Sequence, residues 1–590
     1  MSASSTDYPN HNDRFAPMVA LSMTGAQGVA QVIAAQENAV VYGMPGGYTV
    51  QIFDALHFLR DRVKVQLVRE EAFATVMAEA QGRLTNKPAF VLGQGAWVLG
   101  NASIGIMEAH LGSSPMVVLV DATEGGAYSH LGPYQVGAGG YGAYDLASAL
   151  KAITKQTFVA LDPTQAVHMT QLAIKHAMTG EPGPVAVVFH SKSLFDKVGG
   201  PTQPPLGPIN KTLTFLPPSP SSDALAAALQ LINQSQSPVL IAGNGIRLSQ
   251  TQAALKAFAE KLAIPVVTTP AGKGVFSEDH DLAGGVIGAF GHEVANEIVG
   301  QADLIIAVGT KLGASDTANL HPNLIQPNKQ KLIQLDIEPL NIGWTLPVHV
   351  GVIAHARLGL EALTALVSSS TFDGKRKIAD SRQRHGYFNR QISSTAGHFS
   401  GRDAVVLLSQ HLPNGSIATC DAGENRLFML RDFQCKGDTS VLQPNGGGGM
   451  GYAVPAAMSA ALNTTSQAVA VCGDGGISMT LHALMTAIET KANLLVVVLD
   501  NTILGWVYNG QRDRIIASEL HPFDYAKIAA AMGCHAISTD DPEVFGHELK
   551  AALTRTGVNV IVAKTTRADR YQDVMASLNK QDVYAVPETP

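Results

Sequence analysis

Short apolar runs alternate with longer segments of helical periodicity along the whole 590-residue sequence. A helix between consecutive strands is the connection that parallel pairing requires, because each strand must re-enter the sheet from the same end. We therefore predict an α/β fold of three consecutive Rossmann-like αβ domains with mainly parallel sheets. The predicted strands are Ala39–Tyr42, Ala89–Leu92, Met116–Asp121 and Pro184–Phe189, then Pro238–Ala242, Pro265–Thr269, Leu304–Val308 and Lys331–Asp336, and finally Ser416–Cys420, Ala468–Val471, Leu494–Leu499 and Val558–Ala563.

Two changes in composition divide the chain. The segment Gly199–Pro220 is rich in proline, a composition typical of a linker. A polar, charged stretch at Asp373–Arg390 separates the middle third from the last. We predict a flexible N-terminal tail at 1–17, a first domain at 18–198, a linker at 199–222, a central domain at 223–370 and a last domain at 371–590.

Composition narrows the class of protein. The formal net charge of −7 gives no reason to expect nucleic acid or a membrane surface as a partner. No apolar run approaches the length of a membrane span, and the polar residues 1–17 do not resemble a secretion signal, so we expect a soluble, cytoplasmic protein. The four cysteines form no close-spaced pairs, which favours buried reduced thiols over disulfides or a zinc site.

Polar side chains follow two neighbouring strands of the predicted last domain. Asp474 lies in the glycine-rich segment 473–476, and Asn501 follows the next predicted strand, 27 positions later. Carboxylate and amide oxygens at such an edge suit Mg²⁺, which completes its shell with phosphate oxygens, and Gly475 and Gly476 allow close backbone approach. The alternative is an ordinary strand–turn–helix with a solvated aspartate.

A second acidic group lies at a predicted strand-to-helix junction in the first domain. Glu71 stands immediately before the helical pattern Ala72–Arg83. A carboxyl group that is buried beside a neutral heterocycle tends to hold its proton and can donate it. The alternative is that Glu70 and Glu71 are solvated acids in a first helical turn, which the helix dipole favours.

These segments together resemble one enzyme family. The aspartate–glycine segment followed by an asparagine is similar to the diphosphate-anchoring motif of thiamine diphosphate (ThDP) enzymes. The wider match is to the acetohydroxyacid synthase-like superfamily, which includes acetolactate synthase, pyruvate oxidase, benzaldehyde lyase and cyclohexane-1,2-dione hydrolase. It rests on Tyr42–Gly47, Glu70–Arg83, Ala271–Asp281, Leu335–Gly343 and Asn445–Ala457.

The resemblance implies an order of domains and a set of cofactor contacts. The three domains would be pyrimidine-binding, central nucleotide-binding-like and diphosphate-binding. Glu71 would bind N1′ of the cofactor's pyrimidine ring, and the Gly46 loop would face the reacting centre. In the last domain the implied ligands are Asp474, Asn501 and the Ile503 carbonyl for Mg²⁺, Gly473, Gly475 and Gly476 for the diphosphate, Gly448 for N4′, and Met450 for N3′ and for bending the cofactor.

The resemblance also implies self-association and a class of reaction. Glu71 of one chain would serve a cofactor that a second chain holds, so we expect a homodimer or homotetramer with interfacial active sites. The implied activity is that of a lyase or carboligase for a 2-keto acid or 1,2-diketone, acting through a C2 ylide and a carbanion–enamine. Alternatives are a hydrolase of a cyclic 1,2-dione, a simple 2-keto acid decarboxylase and, more remotely, a non-catalytic homologue.

Several positions depart from acetohydroxyacid synthases. Ser315 replaces the arginine that binds the acceptor's carboxylate, and Gly510 replaces a tryptophan that favours 2-oxobutyrate. Trp97 falls in Ala96–Asn101, the segment that replaces a glycine-rich family loop, and Gln94 lies just before it. We expect catalytic roles for both, with Gln94 the foremost candidate for proton transfer, although Trp97 could equally be a core residue. His292 is a further candidate for proton transfer, although a hydrogen-bonded loop histidine is the favoured interpretation.

The central domain raises the question of a flavin. Glycine loops at 243–245 and 309, with an acidic strand end at Leu335–Pro339, suit either FAD or a purely structural Rossmann-like unit. The flavin-supporting segment of relatives is replaced here by Phe189–Ser193. FAD thus stays an open alternative beside ThDP and Mg²⁺.

Overall fold

The computed structural model of the protein describes residues 23–124, 134–199, 216–368, 372–393, 397–578 and 585–586. The predicted tail at 1–17 and most of the predicted linker at 199–222 lie outside the described residues. Described residues up to 216, apart from 84–86, belong to a first compact unit, and those from 217 onward belong to a second.

The first unit is built on one six-stranded parallel sheet with the strand order β2-β1-β3-β4-β6-β5. Three of its helices begin after side chains that accept a backbone N–H of the first turn, since Thr24 caps α1, Asp145 caps α5 and Asp162 caps α6 ahead of Pro163. The elements are α1 (Gly25–Ala34), β1 (Ala39–Gly43), α2 (Val50–His57), β2 (Val63–Leu67), α3 (Glu71–Thr85), β3 (Ala89–Gln94), α4 (Gly95–Leu111), β4 (Met116–Asp121), α5 (Leu146–Lys151), β5 (Gln156–Ala160), α6 (Pro163–Met178), β6 (Pro184–Phe189) and α7 (Ser191–Phe195).

The second unit carries two further six-stranded parallel sheets. The central sheet has the order β12-β11-β10-β7-β8-β9. Ile378 of α13 packs in the same apolar cluster as Ile298 of α11, so this helix packs beside the central sheet although it follows residue 370. The elements are α8 (Ser222–Gln234), β7 (Pro238–Ala242), α9 (Asn244–Leu248), α10 (Gln252–Leu262), β8 (Val266–Thr268), β9 (Ala283–Val286), α11 (Glu293–Gln301), β10 (Leu304–Val308), β11 (Lys331–Asp336), β12 (Val350–Ile353), α12 (Ala356–Leu366) and α13 (Gly374–His385).

The last sheet has the order β14-β13-β15-β16-β18-β17. Its inner strands β15 and β16 pair in register from Ala468 with Leu494 to Gly473 with Leu499, so both strands end at one edge. The elements are α14 (Gly401–His411), β13 (Ile417–Cys420), α15 (Glu424–Arg431), β14 (Ser440–Leu442), α16 (Ala453–Asn463), β15 (Ala468–Gly473), α17 (Asp474–Thr480), α18 (Ala483–Glu489), β16 (Leu494–Asp500), α19 (Gly505–Gln511), α20 (Tyr525–Met532), β17 (His535–Thr539), α21 (Pro542–Thr554) and β18 (Val558–Lys564).

The predicted α/β fold with three parallel sheets is confirmed. All twelve predicted runs are strands, with bounds that differ by one or two residues at most. The strands that the prediction missed are β2, β5, β9, β12, β14 and β17, which are the two edges of each sheet in the described chain. Inner strands such as β16 are buried throughout and form long apolar runs, whereas the edge strand β2 buries only Val63 and has Lys64 and Gln66 between its apolar residues, so it gives a weaker signal.

Each sheet has an inner point on either side of which its strands are added in opposite directions. These switch points lie between β1 and β3, between β7 and β10, and between β13 and β15. Open α/β sheets bind ligands in the crevice beyond the carboxyl ends of the strands at such a point. The three crevices are therefore the places to look for a site.

All four cysteines are buried free thiols, as predicted. Among the described helices, none combines the length and the apolar character needed to cross a bilayer.

Candidate active site

A cavity lies at the switch point of the last sheet, beyond the ends of β13 and β15. Residues 422–425 after β13 and 473–476 after β15 form two of its walls. The predicted residues Gly473, Asp474, Gly475, Gly476, Met450, Asn501 and Ile503 all line this cavity. Other lining residues are Gly401, Phe428, Leu499, Leu504, Gly505, Trp506, Val507, Thr565, Thr566 and Asp569.

Asp474 is held rigidly where β15 passes into α17. Its Oδ1 accepts the Gly475 N–H at 2.8 Å, and its Oδ2 accepts the Thr502 N–H at 2.6 Å. Asn501 follows β16, the neighbouring strand, and its Oδ1 accepts the Ile503 N–H at 3.2 Å. The Thr502 bond ties the two strand ends together, as the sequence spacing predicted.

Negative charge exceeds positive charge around Asp474. Burial and, second, the negative charge of Asp500 raise the pKa of Asp474 to about 7. Asp500 binds Lys564 through Oδ2, but its buried Oδ1 has no hydrogen-bond partner among the described residues. A buried, under-compensated pair of carboxyls is an environment that a dication would stabilise. The donors therefore fit Mg²⁺, which needs only a few protein oxygens.

The segment 473–476 needs glycine at its end for a steric reason. A Cβ atom on Gly476 would lie 2.0 Å from Oδ2 of Asp421, the residue that follows β13. The Asp421 carboxylate accepts the backbone N–H of Ala453 at 2.6 Å and of Gly451 at 3.1 Å. Burial raises the pKa of Asp421 to about 6. The sequence-based prediction missed Asp421, whose position after a buried strand was the available signal.

The loop held by Asp421 presents Met450 to the cavity. Met450 is 39% exposed, and its Sδ lies 3.7 Å from the place that a Cβ of Gly475 would take. Gly448 and Gly451 have positive φ angles of 62° and 83°, which turn the loop sharply. Gly448 itself does not line the cavity, and a Cβ added there would meet no atom within 4 Å.

Glu424, at the start of α15, is a second residue that the sequence-based prediction missed. It lines the cavity but is only 6% exposed, and burial raises the pKa of its carboxyl to about 7. Trp506 reaches the cavity from α19 and stacks on Tyr571, with ring centroids 5.6 Å apart. It therefore acts as both a lining and a packing residue.

In the first unit, Glu71 is the first residue of α3, directly after the loop from β2. It is 6% exposed, which rules out the alternative of a solvated acid. Its Oε2 accepts a hydrogen bond from Nδ2 of Asn101 on α4 at 3.2 Å. Asn101, the last residue of the altered family loop, thus orients the carboxyl that the prediction singled out.

Gln94, Gly46 and Trp97 lie around the switch point of the first sheet. Gln94 ends β3, is buried, and donates from Nε2 to Oε1 of Gln135 at 2.6 Å. A Cβ on Gly46, in the loop after β1, would lie 3.4 Å from Oε1 of Gln94. Trp97 is 49% exposed on α4, so its alternative role as a core residue is wrong. Gln135 escaped prediction, since no motif marks it.

The switch point of the central sheet is filled by its own backbone. The Gly245 N–H donates to the Gly309 carbonyl at 2.9 Å, so the two glycine loops contact each other. The Asp336 carboxylate accepts the Glu338 N–H at 3.0 Å and Nδ2 of Asn341 at 3.2 Å. These contacts favour the structural interpretation of the central glycine loops over a flavin site.

His292 is fully engaged as a structural residue. Its Nδ1 accepts the Val286 N–H at 3.1 Å, and its Nε2 lies 3.0 Å from the Arg431 carbonyl, to which it donates. Burial lowers its pKa well below the usual value. The favoured interpretation of a hydrogen-bonded loop histidine is therefore correct.

Comparison with known proteins identifies the class of protein. Three family models match in the predicted order: the N-terminal TPP binding domain of thiamine pyrophosphate enzymes at residues 23–136, the central domain at 225–363 and the C-terminal TPP binding domain at 421–563. The last match contains Asp421, Glu424, the 473–476 segment and Asn501. The chain belongs to the thiamine diphosphate enzyme family, in its acetohydroxyacid synthase-like superfamily.

Three relatives that align over at least 90% of this chain are named as acetolactate synthase large subunits. The chain is 28% identical over 552 residues to a probable acetolactate synthase large subunit of Methanocaldococcus jannaschii, covering 90% of each chain. It is 28% identical over 570 residues to the acetolactate synthase isozyme 3 large subunit of Escherichia coli, covering 94% of this chain and 96% of the relative. The probable acetolactate synthase large subunit of Methanococcus aeolicus is 26% identical over 558 residues, covering 90% of each chain.

Proposed function

We propose that the protein is a ThDP- and Mg²⁺-dependent carbon–carbon lyase or carboligase that acts on a 2-keto acid or a 1,2-diketone and transfers the acyl fragment to an acceptor. The observation that carries this proposal is the cavity at the switch point of the last sheet. It brings Asp474, Asn501 and three backbone glycines together in a chain that belongs to the ThDP enzyme family.

The last domain would hold the anionic end of the cofactor. Asp474, Asn501 and the Ile503 carbonyl would bind Mg²⁺, whose positive charge offsets the buried carboxyls of Asp474 and Asp500. Gly473, Gly475 and Gly476 leave the space that a diphosphate needs, and Met450 would support the cofactor from the opposite wall, with Gly448 shaping its loop. When bound, the cofactor supplies an electron sink for breaking and forming a bond next to a carbonyl.

The first domain would supply the proton chemistry. Glu71 is buried and its carboxyl is oriented by Asn101, so it can hydrogen-bond a ring nitrogen from one fixed position. The Gln94–Gln135 pair presents amide groups beside Gly46, where a substrate oxygen could accept a hydrogen bond. The exposed Trp97 is available to contact substrate, whereas the central domain is assigned no step.

The residues at positions 315 and 510 narrow the class of substrate. Ser315 lies exposed in the loop after β10 and Gly510 is buried in α19, so neither position offers a cation for an acceptor's carboxylate. The relatives named acetolactate synthase favour a carboligase outcome over hydrolysis. We therefore expect a keto-acid or diketone donor, with an acceptor that does not depend on a bidentate arginine.

A substrate screen tests this proposal. The full-length chain with ThDP and Mg²⁺ is incubated with pyruvate, 2-oxobutyrate or a 1,2-diketone, and products are identified by mass spectrometry. Carbon–carbon ligation or cleavage products should form and should be absent with Glu71→Gln. Unchanged turnover by Glu71→Gln, or cofactor binding without any such product, contradicts the proposal.

We also propose that the working unit is a cytoplasmic homodimer or homotetramer, in which Glu71 of one subunit serves a cofactor held by its partner. Glu71→Gln and Asp474→Asn chains are unfolded, mixed and refolded together. Random pairing should restore about 25% of wild-type activity, because each mixed dimer regains one intact site. Sites made from a single chain would give no recovery.

A further inference from the structure

The cavity of the last domain has an unusual charge for a diphosphate site. Three of its lining residues, Glu424, Asp474 and Asp569, are acidic, and none of its described lining residues is lysine or arginine. Mg²⁺ and backbone N–H groups can offset part of a diphosphate's charge, and Asp474 is assigned to the metal. An ionised Glu424 would repel the diphosphate without a nearby cation to compensate. The protonation state of this carboxyl therefore decides how the anion is bound.

The two oxygens of Glu424 have different surroundings. Oε1 accepts Nδ2 of Asn509 at 2.7 Å and the Tyr571 N–H at 2.9 Å. Oε2 is buried and has no hydrogen-bond partner in the described parts of the chain. It packs against Gly505, another lining residue, where a Cβ would lie only 1.9 Å away. A buried polar atom without a partner is costly, and a ligand in the cavity can supply that partner.

The surroundings of Glu424 favour its neutral form. Burial is the largest cause; together with the negative charges of Asp569 and Asp573 it outweighs the hydrogen bonds from Asn509 and Tyr571 and raises the pKa of Glu424 to about 7. The neighbouring cations are committed elsewhere: Arg390 pairs with Asp403, Arg402 with Asp432 and Arg570 with Asp573. The ionisable groups on elements packed against α15 are Arg402, Asp403 and His411 on α14, Cys420 and Asp421 at the end of β13, Cys472 and Asp474 at the end of β15, and Asp569, Arg570, Tyr571 and Asp573 around the 3₁₀ turn Tyr571–Val574.

We propose that Glu424 is a protonated ligand of the cofactor's diphosphate, with its Oε2–H donating to a phosphate oxygen. The proton comes from solvent and stays on Oε2, so no covalent bond changes in the cofactor. This inference rests on the proposed placement of the diphosphate in the cavity. Its consequence is that cofactor binding takes up a proton and weakens as pH rises.

Glu424→Gln tests this proposal, because glutamine keeps the shape of glutamate and replaces its carboxyl by an amide. The two N–H groups at Oε1 would hold the amide oxygen of glutamine, which turns the NH₂ group toward the cavity. The variant thus has a permanent donor where glutamate has one only when protonated. Glu543→Gln, an exposed acid on α21 of the same domain, controls for the change of net charge.

The test measures binding of ThDP with Mg²⁺ to the full-length, cofactor-free chain by titration calorimetry between pH 6 and 9. Relative to Glu424→Gln, the wild-type Kd should rise about tenfold for each pH unit above 7. Comparing the proteins at each pH cancels titration of the cofactor itself. At pH 8, titrations in two buffers of different ionisation enthalpy should show about one more proton taken up by the wild type than by Glu424→Gln.

A ratio of the two Kd values that is constant with pH, or equal proton uptake by both proteins, would overturn the role of Glu424. Glu543→Gln should follow the wild type at every pH. A wild-type chain that binds no ThDP even at pH 6 would instead remove the diphosphate site on which the inference rests. Thermal unfolding of Glu424→Gln without cofactor confirms that the variant is folded.

Discussion

Replacing Gly476 by alanine should disturb the site through Asp421. The new Cβ would lie 2.0 Å from Asp421 Oδ2 and 3.3 Å from Cys472 Cβ, so the buried carboxylate must move. Moving it weakens its bonds to the Ala453 and Gly451 N–H groups, at 2.6 and 3.1 Å. Hydrogen bonds to a charged group contribute about 1.5–3 kcal/mol each, so losing most of this pair costs about 3 kcal/mol.

The assay is thermal unfolding of the cofactor-free chain. An unfolding entropy of about 2 cal/mol/K per residue, over a second unit that begins at residue 217 and runs to 590, converts that cost into a Tm lowered by about 4 °C. Gly473→Ala is the matched control from the same segment, since its Cβ would meet only the Leu499 carbonyl at 3.9 Å and Oδ1 of Asn425 at 4.0 Å. Equal Tm values for the two alanine variants would refute the steric reasoning.

Three further predictions concern charge and substrate. Asp474→Asn should weaken Mg²⁺-dependent ThDP binding at least about tenfold by removing the one carboxylate of the metal site, measured by calorimetry; unchanged affinity would exclude Asp474 as a ligand. Relative to Glu424→Gln, the cofactor-free wild-type protein should lose stability as pH rises from about 5 to 7, because the raised pKa of Glu424, about 7, lets the folded state hold a proton that the unfolded chain releases near pH 4. Thermal unfolding of both proteins across that range checks this; a stability difference that stays constant with pH would contradict it. Trp97→Ala should change Tm by less than about 1 °C because the side chain is half exposed, yet raise KM for substrate, whereas a large loss of stability would return Trp97 to a packing role.

The sequence was sufficient for the sheets' inner strands and for the residues at their ends. β15 and β16 are uninterrupted apolar runs, and the residues after them, Asp474 and Asn501, follow directly from the polarity of a parallel sheet. The edge strands β2 and β17 were missed because most of their residues are exposed or only partly buried and polar residues interrupt the apolar run. Such strands depend on pairing with a neighbour that local sequence does not specify.

The site residues Asp421, Glu424 and Gln135 were missed for a different reason. Asp421 and Glu424 matter because of Gly476 and Gly505, which lie 55 and 81 positions later in the chain. Gln135 was missed for the same reason, since its partner Gln94 ends β3, 41 positions earlier in the chain. A side chain that acts through a distant partner carries no local motif, whereas Glu71 was recognisable from its own helix start.

The position of Asp421 has a consequence for how the site can vary. One carboxylate abuts the glycine segment after β15 and also fixes the loop that carries Met450, so substitutions in either place alter the same anchor. Double mutants in the two segments should therefore be strongly epistatic rather than additive. These two segments of the last domain should therefore evolve together, because a change in one restricts which changes the other can accept.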